Sequence, residues 1–270
     1  MKIAGSRILL TGATGGIGHC LALELARRGA RLALAGRNAD RLARLAGEIS
    51  NASAPAATLP ADLTSPGSHA ALVERALESL GGIDALINNA GRSHFGAFVD
   101  QDEAAMRELI ETNLTAPLLL TRAVLPHLIR RGTGCIVNVG SVFGAIGFPY
   151  NAAYSASKFA LRGFSEALRR ELADTGVAVL YVAPRATATA MNGPAARALM
   201  AETGTAVDAP AKVAASIADA LADGRKELTL GGPERVFTRL NALLPGIVDG
   251  PLIKQARLAA RHLLATKTAG

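Results

Sequence analysis

The chain has no tryptophan, only three tyrosines and seven phenylalanines, and just two cysteines in 270 residues. Cys20 and Cys135 stand far apart and form no CxxC pair. A disulfide framework and a thiolate metal site are therefore excluded as organising features, and reduced, buried thiols of a cytosolic protein are expected. With rings so scarce, no segment alternates Lys or Arg with aromatics as a nucleic-acid surface does. The net charge of +7 comes from scattered residues. Attraction to an anionic cofactor or to an acidic protein partner accounts for the same sign. No uninterrupted apolar run reaches about 18 residues, which argues against a transmembrane helix. No cleavage-type signal precedes the strand-like "RILLTG", so the expected location is the cytoplasm.

What is present is apolar and periodic. Short apolar runs at 7–11, 31–35, 57–61, 85–88, 135–140, 177–183 and 227–230 read as strands. Helical spacing of apolar residues fills 17–28, 39–49, 68–80, 103–129, 154–174 and 211–222 between them. Strands apolar throughout, alternating with helices, predict a doubly wound α/β fold: a parallel sheet with helices on both faces. Pro117 is expected to bend the long fourth helix or to mark a junction within it. Nothing in the composition divides the chain before about residue 230, and roughly 250 residues is ordinary for one domain of this class. One domain over 1–232 and a helical C-terminal extension over 233–270 are expected. The segment 187–205, "TATAMNGPAARALMAETGT", is too long for a plain strand-to-helix connection and reads as a lid.

The first strand runs directly into "LLTGATGGIG" (9–18). Gly12, Gly16 and Gly18 there allow a tight turn, close approach of a ligand to the backbone, and close packing of helix on strand. The N–H groups that open the helix then suit a pyrophosphate. The spacing is G-x-x-x-G-x-G rather than G-x-G-x-x-G. The second strand ends in "AGRN", where a dinucleotide fold selective for NAD carries an acid for the ribose hydroxyls. Gly36 and Arg37 stand there instead. With no carboxylate to repel a 2′-phosphate and a guanidinium to bind it, NADP(H) is the expected cofactor. The plainer reading of Arg37 is a cap on a surface turn.

"AYSASKFAL" (153–161) places Tyr154 and Lys158 one helical turn apart, on one face. An amphipathic helix carries such a pair on its wet side for no chemical reason. A lysine beside a tyrosine also favours the phenolate and makes a proton donor usable near neutral pH. The pair alone does not choose between these.

Taken in order, these motifs resemble the short-chain dehydrogenase/reductase family over about residues 5–232. "TGATGGIG" matches its cofactor loop, with Thr14 and Ile17 beside the glycines. "ADL" puts Asp62 and Leu63 where the family contacts adenine. "NNAG" (88–91) supplies Asn89, Ala90 and Gly91. Asn113, Ser141, Tyr154 and Lys158 follow in sequence. The resemblance implies a single-domain Rossmann-like fold and a role for each residue. Tyr154 gives its proton to a carbonyl oxygen as hydride arrives, and Ser141 hydrogen-bonds that oxygen. Lys158 binds ribose hydroxyls and lowers the pKa of the tyrosine, and Asn113 holds a water on the proton path. The small residues between Tyr154 and Lys158 are then expected to let cofactor and substrate approach. After the sixth strand the family has Pro-Gly and then a Thr. Here "APRATATAM" keeps Pro184 but replaces the glycine by Arg185, with Thr187 and Thr189 following as cofactor contacts. Arg185 is open to two readings, a contact for a substrate carboxylate or phosphate, or a harmless exposed side chain.

The resemblance implies NADPH-dependent reduction of a ketone or 3-oxoacyl carbonyl to a secondary alcohol. Alcohol oxidation in the reverse direction and a non-catalytic NADP(H)-binding regulator are the alternatives. Val142, Phe143, Phe148 and Met191 are the expected walls of an apolar substrate pocket. His94 is read as a packed loop residue outside the catalytic set. Family habit implies a homodimer or homotetramer. In the tail, Leu252, Ala256, Ala259 and Leu263 form one helix stripe and Lys254, Arg257 and Arg261 largely another. An extra helix packed on the protein is the expected role, with contact to a membrane or an acidic carrier protein as the alternative.

Overall fold

The computed structural model describes residues 1–50 and 55–268. In chain order it contains β1 (Arg7–Thr11), α1 (Gly16–Arg27), β2 (Arg31–Gly36), α2 (Ala39–Ser50), β3 (Ala57–Pro60) and α3 (Ser68–Leu80). Then come β4 (Ala85–Asn88), α4 (Glu103–Ile110), α5 (Ala116–Arg131), β5 (Gly134–Val139), α6 (Ala152–Glu171) and β6 (Val177–Ala183). The chain continues with α7 (Pro194–Glu202), α8 (Pro210–Ala222), β7 (Glu227–Thr229), α9 (Gly232–Leu243) and α10 (Pro245–Thr268). The seven strands form one sheet in the order β3-β2-β1-β4-β5-β6-β7, and every pairing is parallel.

Alternation along each strand builds two cores. Ile8, Leu10, Leu34, Ile87 and Val137 face a layer that contains Leu21, Leu42 and Ile217 of α1, α2 and α8. Leu9, Leu86 and Ile136 face the other, against Leu72, Leu120 and Leu168 of α3, α5 and α6. Both faces of the central strands are dry, so each such side chain contributes about 1.5–3 kcal/mol of burial. The two cysteines are free; Cys135 is buried, with its thiol pushed up to about 12, and Cys20 is only half-buried.

The expected fourth helix is divided. Between α4 and α5 the backbone widens into a π turn over Glu111–Thr115, closed by the Ala116 N–H on the Glu111 carbonyl. Pro117 sits in the first turn of α5, so it marks a junction. Having no N–H, it also leaves the Asn113 carbonyl without its α-helical donor. The lid segment contains a helix, α7, and the tail forms two, α9 and α10, where one stripe was legible. Among the described residues no helix is long and apolar enough to cross a membrane.

At the amino end of the sheet, Asp84 accepts hydrogen bonds from the Arg7 N–H and Nε at 2.7 and 2.9 Å and pairs with Arg131 at 2.6 Å. Burial by itself raises this carboxyl, but the bonds from Arg7 and Arg131 outweigh it and hold it far below the ordinary carboxylate range. A depressed folded-state pKa contributes stability that is complete above the unfolded value near ~4 and lost as pH falls through the folded value. Asp84→Asn is therefore expected to destabilise by about 2–3 kcal/mol at pH 7. In chemical denaturation series its deficit against the parent should narrow as pH falls below about 4.

Candidate active site

The carboxyl ends of the strands open into one cleft of about 1380 Å³. It lies where β1 and β4, adjacent in the sheet, send their chains in opposite directions. Its floor is a clamp between two loops. The Thr11 hydroxyl accepts from the Asn89 and Ala90 N–H groups at 3.1 and 3.2 Å, and Asn89 Nδ2 donates to the Thr11 and Gly12 carbonyls at 3.1 Å. Gly12 has φ +62°, and a Cβ on it would fall 2.7 Å from Ala90 Cα; one on Gly18 would fall 2.1 Å from the Gly12 carbonyl oxygen. Those two glycines serve the fold. Gly15 and Gly16, at the opening of α1, are exposed, and no side chain caps this helix. Its first N–H groups face the cleft as a site for a phosphate.

Every cofactor residue expected from the sequence lines this cleft. Thr14, Gly16, Ile17, Arg37, Asp62 and Leu63 come from its β1–β3 side, Gly91 from β4, and Pro184, Thr187 and Thr189 from β6 and the lid. Asp62 is held below the ordinary carboxylate range, first by the Thr64 N–H and hydroxyl and less by Arg37 and Arg92. Arg37 is 66% exposed and lies 3.7 Å from Glu108, which also pairs with Arg92. Arg41, which the sequence reading missed, joins Arg37 and bonds the Thr14 carbonyl at 3.4 Å. Its signal was present: it follows Arg37 by one helical turn at the start of α2.

Ser141, Tyr154 and Lys158 converge at the other end of the cleft. Lys158 is 4% exposed. Its ammonium donates to the Val139 carbonyl at 3.0 Å and lies 5.8 Å from the centre of the Tyr154 ring. Burial pushes it down to about 8. Burial also pushes the Tyr154 phenol up, and the hydrogen-bonded Ser141 hydroxyl only partly opposes that. The expected lowering of the phenol by the lysine is thus not what this cleft shows. The ammonium sits over the ring, and desolvation is the larger effect. Phe143 stacks on Phe148 at 4.7 Å and meets Tyr154 edge-on at 6.2 Å. With Val142 and Met191 these rings form the apolar wall expected of them. His94 also lines the cleft, its Nε2 buried without a hydrogen bond.

A buried cation that, among the described residues, bonds a carbonyl and no acid, an uncapped helix N-terminus and an arginine pair fit the three anionic or hydroxyl-bearing parts of a nicotinamide dinucleotide. Comparison with known proteins agrees. The family model described as short chain dehydrogenase matches residues 6–199. The chain belongs to the short-chain dehydrogenase/reductase family. It is 35% identical to dehydrogenase/reductase SDR family member 7B of Bos taurus, over 93% of this chain and 81% of that one. It is 38% identical to ketoacyl reductase HetN of a Nostoc species, over 67% of this chain and 63% of that one, so the match spans less than two thirds of the second relative. Among solved structures, a short-chain dehydrogenase from Sphingobium yanoikuyae in complex with NADPH superposes with TM-score 0.77 at 34% identity, covering 90% and 95% of the two chains. One from Burkholderia phymatum in complex with NAD gives TM-score 0.83 at 23% identity, covering 92% and 96%, and shares the fold.

Within this short-chain dehydrogenase/reductase, the place of Asn113 is narrowed to its backbone, and the expectations for the small residues of α6 and for Arg185 are revised. Asn113 does not line the cleft. It is fully buried, its Oδ1 accepting from the Arg92 N–H at 2.8 Å and its Nδ2 donating to the Arg92 carbonyl and the Ser157 hydroxyl at 2.9 and 3.1 Å. Its side chain pins the loop after β4, which leaves only its backbone to hold the water expected of it. The small residues between Tyr154 and Lys158 face away from the cleft. Ser157 donates to the Tyr154 carbonyl at 2.7 Å, and Ser155 accepts from the Phe148 N–H at 3.4 Å. The two serines pack α6 onto the π turn and the pocket loop, while Ala156 between them is exposed. Arg185 is neither of the two things considered. Only 18% of its side chain is exposed, and it holds Asp208 through two bonds of 2.8 and 3.0 Å and Glu234 at 3.3 Å. It ties the base of the lid to the start of α9.

The sequence also gave no sign of Tyr181. Its hydroxyl, inside β6, donates to the Ser141 carbonyl at 3.3 Å and receives the Ser141 N–H at 3.5 Å. A Cβ at Gly140 or Gly144 would collide with its ring end at 2.2–2.4 Å. This fully buried phenol, raised by burial, sets the backbone that carries Ser141. Tyr181→Phe is expected to lower kcat about tenfold while leaving KM for the cofactor unchanged, in steady-state kinetics.

Lys158 predicts a conflict between stability and activity. Its folded-state value lies below the ordinary 10.5, so the folded chain binds fewer protons than the unfolded one between about 8 and 10.5. Stability therefore rises with pH across that window, and the full penalty applies below it. Without cofactor, Lys158→Met is expected to be more stable than the parent at pH 7 by on the order of 2 kcal/mol. The advantage should fade towards pH 10.5 in denaturation curves, and activity should be lost.

Proposed function

We propose that this chain catalyses NADPH-dependent reduction of a carbonyl on an apolar substrate to a secondary alcohol. The observation that carries the reading is the convergence of the Tyr154 phenol, the Ser141 hydroxyl and the buried Lys158 ammonium beside the stacked rings of Phe143 and Phe148. When bound, a nicotinamide dinucleotide supplies the hydride. The Gly15–Gly16 N–H groups would hold its pyrophosphate and Lys158 its ribose hydroxyls. Asp62 would face the adenine, and Arg37 with Arg41 the 2′-phosphate.

Ser141 and Tyr154 together hold the carbonyl oxygen, which fixes the substrate for attack. As negative charge gathers on that oxygen, the Tyr154 Oη–H bond breaks and its proton passes to it. Lys158, buried and cationic, stabilises the phenolate that results, which is where its charge counts most in a dry site. The Asn113 carbonyl, which Pro117 leaves without its α-helical donor, would accept from a water that passes a proton back towards Lys158. The same groups run the oxidation of an alcohol when substrate and cofactor arrive in the opposite state. A homo-oligomer is supported by an unpartnered face of α5 and α6, where Ile129 and Phe159 are each 43% exposed beside a groove lined by Leu118, Leu125 and Phe164.

Turnover of ketones and 3-oxoacyl thioesters is expected with NADPH and to be weaker with NADH. Tyr154→Phe is expected to bind NADPH with unchanged affinity by fluorescence and to lose at least about a hundredfold in kcat. Arg37→Ala with Arg41→Ala is expected to raise KM for NADPH about tenfold or more and leave that for NADH alone. Full turnover in Tyr154→Phe would sink the catalytic reading. Tight NADPH binding without turnover on any carbonyl would favour a regulator.

A further inference from the structure

The reaction leaves the outer surface of the two C-terminal helices unexplained. Helix α9 buries none of its residues. Thirteen large hydrophobic side chains are exposed among the described residues, and seven of them fall in α9, α10 and their junction. Leu243 is 79% exposed, Leu244 53% and Ile247 58%. These three stand together in "LLPGI", an uncharged corner between the helices. A monomeric surface rarely gathers apolar groups in this way without a partner.

The surroundings of the corner are cationic. Residues 233–270 hold six Lys or Arg against two Asp or Glu, and one of those acids, Glu234, is engaged with Arg185 at 3.3 Å. Arg235 and Arg239, one turn apart, precede the corner, and Lys254 and Arg257 follow it; all four are exposed. The inner sides of the same helices are committed to the protein. Val248 and Ala259 are buried, Arg261 and His262 bond Glu202 of α7 at 3.0 and 2.5 Å, and Phe237, Leu252 and Leu263 line the cleft.

We propose that the α9–α10 corner docks on an anionic lipid bilayer, with Leu243, Leu244 and Ile247 entering the headgroup boundary and the arginines and lysine resting on the lipid charge. An apolar edge within a basic surround is the pattern of an interfacial, non-spanning contact. A second copy of the chain would bring like charges together. An acidic protein partner accounts for the cations but not for the exposed leucines. Because the helices that dock also wall the substrate end of the cleft, a bilayer-dissolved apolar carbonyl compound would enter without crossing water; this consequence rests on the proposed reduction, while the docking does not.

Flotation of the full chain with phosphatidylcholine vesicles containing phosphatidylglycerol tests the docking without turnover. Binding is expected to these vesicles, to fall with added salt, and to be weak on phosphatidylcholine alone. The triple variant Leu243→Ser/Leu244→Ser/Ile247→Ser and the double variant Arg235→Gln/Arg239→Gln should each lose about tenfold or more in partitioning. None of the three apolar residues lines the cleft, so reduction of a short, water-soluble ketone and the circular dichroism of the triple variant should match the parent, which excludes misfolding. No flotation of the parent, or equal flotation of both variants, overturns the proposal. So does a triple variant that dissociates an oligomer in sedimentation while the parent ignores vesicles, which would assign the corner to a second copy. Capture of an acidic carrier protein in place of vesicles, lost in the same variants, overturns it in favour of a protein partner.

Discussion

The structure depends on β1 pairing in parallel with β2 on one side and β4 on the other. Parallel pairing needs crossovers, and crossovers of one hand make the chain leave β1 and β4 in opposite directions. The crevice between their carboxyl ends follows from that constraint. So do the clamp of Thr11 and Asn89 across it, and the need for glycine at 12 and 18, where backbones meet too closely for a Cβ. The uncapped start of α1 faces a ligand because the strand before it ends at this divide.

The second controlling feature is a buried charge that, among the described residues, has no acid beside it. Lys158 is inside the protein with a carbonyl for company, a position that costs folding free energy and is tolerated where function needs it. Among the described residues no acid pairs with it, so in the proposed reaction it is free to answer oxygen groups of the ligand and an anion on Tyr154. Helix α6 can hold it there because Ser155 and Ser157 spend their hydroxyls on neighbouring backbone and on Asn113. The proposed chemistry thus sits on one helix, braced by a π turn and by Tyr181 from behind.

Lid and tail form a second unit of construction. Arg185, standing after β6, takes Asp208 and Glu234 at once, and Ser93 bonds the Met191 carbonyl at 3.0 Å. Helix α10 in turn bonds α7 through Glu202. The substrate end of the cleft is therefore walled by segments distant in sequence, and its shape responds to the tail as much as to the core.

The amino-acid sequence by itself determined the sheet, the glycine loop and the order of Ser141, Tyr154 and Lys158. Each of these is local: apolar runs, a loop between one strand and one helix, and two residues one turn apart. Strand β4 and helix α3 were legible to the residue for that reason. Only the tertiary structure decided which way Asn113 and the small residues of α6 face, because a helix pattern does not say which of its sides meets a neighbour. It alone placed Tyr181 of β6 behind Ser141, which follows β5, because those two strands pair only once the chain is folded. It decided the fate of Arg185, whose partners lie 23 and 49 residues onward. And it decided the pKa of Tyr154, since desolvation depends on what the whole chain packs around a group and not on the residue four places along.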